Sequence, residues 1–73
     1  MDKEAKRLLG QNIKEARENR GLSQNDLSLM VGIGRPYLSD LERGNIKRNP
    51  SVDTIDKIVK GLGTTMEAVF RGL

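Results

Sequence analysis

Apolar residues recur along this chain at the three- and four-residue spacing of a helical face, and glycines and capping residues divide the pattern into five segments. The first runs from about Asp2 to Arg20. Leu9, Ile13 and Ala16 share one of its faces, while Lys6, Lys14, Glu15, Arg17 and Glu18 fill much of the rest. Gly21 stops it, as a left-handed C-terminal residue does. The second begins at Ser23, a good N-cap, with Asp26 three residues later in capping-box spacing. Its stripe is Leu27, Met30 and Val31, and it ends at Gly32. The third follows Gly34 and carries Pro36 in its first turn, where a missing N–H costs no helical hydrogen bond. Leu38 and Leu41 face inward, and Arg43-Gly44 ends the segment. After a loop from Asn45 to Pro50, the fourth is capped by Ser51 and is expected to bury Val52, Ile55, Ile58, Val59 and Leu62 before Gly63. The fifth opens with Thr64 and Glu67 in capping-box spacing, then shows Met66, Val69, Phe70 and Leu73. No period-two alternation lasts a strand's length, so the pattern predicts an all-α, five-helix domain.

Composition narrows the chemistry. The 73 residues suit one domain, 1–73, whose core must come from Leu, Ile, Val and Met, since the chain has no Trp, one Tyr and one Phe. No cysteine means no disulfide framework, thiolate zinc site or cysteine nucleophile. The absence of histidine removes the commonest metal ligand and the commonest general base. Ser, Asp, Glu, Lys and Tyr remain, with no acid pair or nucleophile–base set, so neither an enzyme nor a metal or other cofactor is expected. Apolar runs stop at three residues and no signal peptide is visible, which points to a cytoplasmic protein without a membrane span.

The formal net charge of +3 permits nucleic acid as a partner, and its placement is more informative than its size. Residues 21–42 carry Arg35 against Asp26, Asp40 and Glu42 and are net acidic. Residues 43–50 carry Arg43, Lys47 and Arg48 with no acid. One short loop therefore supplies the excess.

The stretch Leu22-Ser23-Gln24-Asn25-Asp26-Leu27-Ser28-Leu29-Met30-Val31-Gly32-Ile33-Gly34-Arg35-Pro36-Tyr37-Leu38-Ser39-Asp40-Leu41-Glu42 places two helices of about eight residues around a tight turn. Leu27, Val31, Ile33, Leu38 and Leu41 would seal the inner angle, and Ser28 is small where the second helix must approach. Gly32 suits a left-handed turn residue. With this helix-turn-helix spacing at residues 24–43, the sequence resembles the phage repressor/Cro-type helix-turn-helix DNA-binding family. The resemblance runs from about Leu9 to Phe70. It includes Ile13 and Arg17 before the motif, Leu22-Ser23-Gln24 at its start and Leu41-Glu42-Arg43-Gly44 at its end. Asn49-Pro50-Ser51, Ile55 with Ile58, and Leu62-Gly63 also match. Arg35-Pro36-Tyr37 is similar to the Arg-x-Tyr pattern of restriction–modification controller proteins, which are short single-domain members. Two positions depart from the family. Gly34 stands where many relatives cap the recognition helix with Ser or Thr, and Pro36 replaces a frequent hydrogen-bond donor, which raises the importance of Arg35.

The resemblance implies a sequence-specific, double-stranded-DNA-binding transcriptional regulator of repressor or controller type, acting as a homodimer on a pseudo-palindromic operator. Base contacts are expected from Arg35, Tyr37, Ser39 and Asp40. Arg35 has the fork that fits guanine O6 and N7, or else it meets a phosphate or only solvent. Asp40 accepts from cytosine N4 or pairs with a neighbouring basic side chain; Tyr37 touches DNA or wedges between helices. Backbone contacts are expected from Ser23, Gln24, Arg43, Asn45, Lys47, Arg48 and Asn49, the loop members because an acid-free cluster suits phosphate. Arg17 and Glu42 match a largely buried structural ion pair. Met66, Val69, Phe70 and Leu73 offer more apolar surface than one-sided docking of a short helix needs, which suggests a dimer interface. No small-molecule effector is expected, leaving control to concentration and dimerisation. The acidic balance of residues 21–42 keeps a second reading open: a protein-interaction module on the same fold, antirepressor- or antitoxin-like.

Overall fold

The computed structural model describes residues 1–73, all of them helix or short connection: α1 (Lys3–Asn19), α2 (Gln24–Val31), α3 (Arg35–Glu42), α4 (Val52–Leu62) and α5 (Met66–Val69). Helix starts follow side-chain acceptors. Asp2 Oδ1 takes the Ala5 N–H at 2.8 Å, and the Ser51 hydroxyl takes that of Thr54 at 3.1 Å. Ser23 and Asp26 form a complete capping box: Ser23 Oγ accepts from Asp26 N at 2.9 Å and Asp26 Oδ2 accepts from Ser23 N at 3.0 Å. The Ser23 backbone N–H foremost, and the Ser23 hydroxyl after it, hold the Asp26 carboxyl below its ordinary pKa. α3 alone starts without a side-chain cap, because Gly34 has none to give.

α1 lies across α3, α2 packs on α4, and α5 closes the gap between α1 and α4. The core so formed joins Leu9 and Ile13 of α1, Leu27 of α2, Leu38 and Leu41 of α3, Ile55, Ile58, Val59 and Leu62 of α4, and Val69 of α5. Gly32, with φ of 72°, turns the chain from α2 into α3, and its N–H and that of Ile33 both donate to the Ser28 carbonyl. Polar side chains fasten the ends. Asn12 Nδ2 donates to the carbonyls of Val69 and Arg71, both at 2.9 Å, tying α5 to α1. Arg20 Nη1 donates to the Leu62 carbonyl at 3.0 Å, closing the end of α4.

Four sequence expectations change. Val52 is 77% exposed, not buried, because it occupies the first position after the cap and the inward face of α4 starts at Ile55. Met30 is also exposed, since the inward stripe of α2 is Leu27 and Val31 with Met30 at its edge. Thr65, not Thr64, caps α5: the Thr64 N–H is spent closing α4 on the Val59 carbonyl, and Thr65 Oγ1 accepts from Ala68 N at 3.1 Å. Val69, expected on a dimer interface, is 1% exposed inside the protomer's own core and has no surface to offer a second copy.

Candidate nucleic-acid interface

α2 and α3 are bound to each other and to α1 through one buried carboxylate. Arg17 Nε donates to Glu42 Oε2 at 2.7 Å and Arg17 Nη2 to Oε1 at 2.9 Å, a bidentate pair between the end of α1 and the end of α3. Arg17 Nη1 donates to the Leu22 carbonyl at 2.6 Å, just ahead of α2. Gln24 Nε2, on the first residue of α2, donates to Glu42 Oε1 at 3.0 Å. Both charged residues are buried, and the hydrogen-bonded Glu42 carboxylate raises the Arg17 pKa above its ordinary value. Because a carboxylate only accepts, Gln24 must turn its nitrogen inward and present its carbonyl oxygen outward with one remaining N–H.

Arg35, at the first position of α3, is exposed and makes no hydrogen bond or ion pair. Tyr37 sits at the edge of burial, which pushes its phenol pKa up. Ser39 is half-buried one turn beyond Arg35. Asp40 and Arg43 form an exposed ion pair with each other at the end of α3, through Arg43 Nη2 and Asp40 Oδ1. The Ser23 hydroxyl is engaged in the capping box, accepting from the Asp26 N–H.

The loop after α3 comes against the same side of the molecule. A cavity of about 470 Å³ is lined by Tyr37 and Asp40 on α3 and by the segment from Asn45 to Ser51 opposite. Lys47 and Arg48 are exposed and unpaired, Asn45 is tied back by its N–H to the Asp40 carbonyl at 2.8 Å, and Asn49 Oδ1 accepts from the Met1 amine at 3.0 Å. Three free cations, Arg35, Lys47 and Arg48, thus accompany the free Asn45 amide and the Asn49 amide held by the Met1 amine, on a face with one neutralised acid. Ile46, buried in the middle of the loop, was not among the expected site residues. The available signal was a lone large aliphatic residue between polar neighbours, which periodicity does not register.

Two short helices locked at a glycine turn, with the second presenting its first turn to solvent beside a basic loop, define a helix-turn-helix domain. The chain belongs to the helix-turn-helix family, whose profile matches residues 13–69. It is 37% identical over 65 residues to the HTH-type transcriptional regulator DdrOP3 of Deinococcus deserti, a match covering 89% of this chain and 49% of the relative. The chain thus spans about half the length of that relative. Among solved structures it is similar to the restriction–modification controller protein C.AhdI of Aeromonas hydrophila, with a TM-score of 0.80 and 34% identity over 88% of this chain and 94% of that one. It is also similar to the controller protein C.Esp1396I, seen as a tetramer in complex with its natural 35-base-pair operator. There the TM-score is 0.75 and the identity 30%, over 88% of this chain and 82% of the other. No helix is long and apolar enough to cross a membrane.

Proposed function

We propose that this chain is a sequence-specific, double-stranded-DNA-binding transcriptional regulator that acts as a dimer. The observation that carries the reading is the unpaired Arg35 at the exposed start of α3, beside a loop whose Lys47 and Arg48 are equally free. The similarity to an operator-bound controller protein supports it. Arg35, with Tyr37, Ser39 and, once released from Arg43, Asp40, would meet base edges in the major groove. Ser23, Gln24, Arg43, Asn45, Lys47, Arg48 and Asn49 would hold the phosphates on either side, fixing register without reading sequence.

The two groups of residues have different signatures. Replacing Arg35 by Ala is expected to cost about 1–3 kcal/mol on the selected site and to relax preference at one base pair. Replacing both Lys47 and Arg48 by Ala weakens all sequences alike. At a slope of about −0.9 in log K against log salt per phosphate contact, the double change lowers affinity roughly sixtyfold at about 0.1 M salt and flattens the slope by about two. Selection of sites from random duplex DNA, followed by titrations of the three proteins across salt, tests both. Absence of duplex affinity at low salt would transfer the case to a protein-interaction module.

With Val69 spent in the core, the dimer surface proposed for the last helix reduces to Phe70 and Leu73, 37% and 49% exposed, with half-buried Met66 beside them. Leu73 continues onto Leu8 of α1 across a shallow depression. Introducing Phe70→Glu is expected to hold the protein monomeric in sedimentation and to abolish cooperative occupancy of half-sites spaced about 34 Å apart. An unchanged sedimentation profile would place the interface elsewhere.

A further inference from the structure

From Ile46 to Pro50 the chain makes no backbone–backbone hydrogen bond, as donor or as acceptor. The last backbone tie before this stretch is Asn45 N–H to the Asp40 carbonyl, and the next is the Ser51 carbonyl accepting from Ile55 inside the start of α4. Nor does the stretch lie flat on α3, since the cavity of about 470 Å³ separates it from Tyr37 and Asp40. Lys47, Arg48 and Asn49 are all exposed. Ile46 is the exception: it is 9% exposed and belongs to the same apolar cluster as Leu38, Leu41 and Ile55. Besides the exposed bond from the Met1 amine to Asn49 Oδ1, one buried side chain therefore fastens a loop that the backbone leaves free.

We propose that Ile46 is a positioning residue for phosphate binding, a pin that holds Lys47 and Arg48 in register on the DNA-facing side. This rests on the reading of the loop as a backbone clamp. A loose loop samples many positions, neutralises fewer phosphates at any instant and must be ordered on binding. A pinned loop delivers both cations together, so the salt dependence of binding measures the pinning.

The experiment is a double-mutant cycle on the full chain, with a short mixed-sequence DNA duplex as the probe and log K followed against log salt. Ile46→Ala is expected to reduce the steepness of the slope by about one and the affinity about tenfold at about 0.1 M salt. It should change neither further when Lys47 and Arg48 are already Ala. Loss of folded protein alone scales affinity by the folded fraction at every salt concentration and leaves the slope where it was. An unchanged slope in Ile46→Ala, or an equal drop in both backgrounds, overturns the role of Ile46. If the Lys47→Ala/Arg48→Ala protein itself keeps the native slope, the clamp reading falls and this proposal with it. Should Ile46→Ala fail to fold, backbone order parameters of the unaltered protein decide. Values near about 0.85 across residues 47–49 fit a pinned loop, and values below about 0.6 refute it.

Discussion

Replacing Glu42 by Ala is expected to destabilise the domain by about 3–5 kcal/mol, because three donors lose their acceptor at once. Arg17 would keep a full charge in a buried site with only the Leu22 carbonyl for a partner, and Gln24 would lose the contact that orients its amide. The reverse change, Arg17→Ala, strands a carboxylate that is almost wholly enclosed. At about 0.05–0.15 kcal/mol per residue a domain of this size has little stability beyond such a loss. A fall in Tm of about 15–30 °C follows for either variant. The paired replacement Arg17→Met with Glu42→Leu removes both charges together and is expected to be far milder than the sum of the single changes. Thermal unfolding of the four proteins checks this. Single variants as stable as the parent would show that the pair is not the internal brace its geometry describes.

The brace could be proposed from sequence only by resemblance, since Arg17 and Glu42 are 25 residues apart and nothing local links them. What was legible locally was everything written in short range. The Ser23–Asp26 box, Pro36 in the first turn of α3 and left-handed Gly32 each act within four residues of themselves, and each stands where the pattern put it. Spacing also fixes which face of a helix is apolar, but not what covers that face. Met66, Val69, Phe70 and Leu73 fall on one stripe of the last segment, yet the structure buries Val69 and leaves Phe70 and Leu73 outside. Position along the axis separates Val52 from Ile55 in the same way: both are apolar, and only the second lies far enough into α4 to reach the core. Ile46 was illegible for a different reason, being a single apolar residue in a loop with no period to betray it. The mid-helix glycines at 10 and 61 carry a signal of another kind, since glycine there costs up to about 1 kcal/mol relative to alanine and so points to a close approach.

Gly10 is where that approach is closest, and Gly10→Ala is expected to destabilise the fold despite the gain in helix propensity. A methyl group at this position would run into the backbone of α3, against the carbonyl oxygens of Leu41 and Glu42. The contact is tight from the other side too. A Cβ on Gly44 would come within 2.8 Å of Arg7 Cα, and Gly44 needs its φ of 72° besides. Neither partner has a rotamer to yield with, so α1 and the end of α3 must move apart as whole helices. Overpacking of that kind costs about 1–3 kcal/mol or more, against a propensity gain of about 1 kcal/mol. With no side chain able to relieve it, the net loss should reach about 2 kcal/mol, or roughly 10–15 °C in Tm. Gly61 supplies the contrast within the same fold. An added methyl there meets the Val31 side chain, part-buried and free to shift, in place of a carbonyl. Gly61→Ala should therefore be clearly the milder of two chemically identical changes. Equal melting temperatures for the two variants would mean that α1 does not lie on the backbone of α3, and with it would go the geometry that presents Arg35 beside the basic loop.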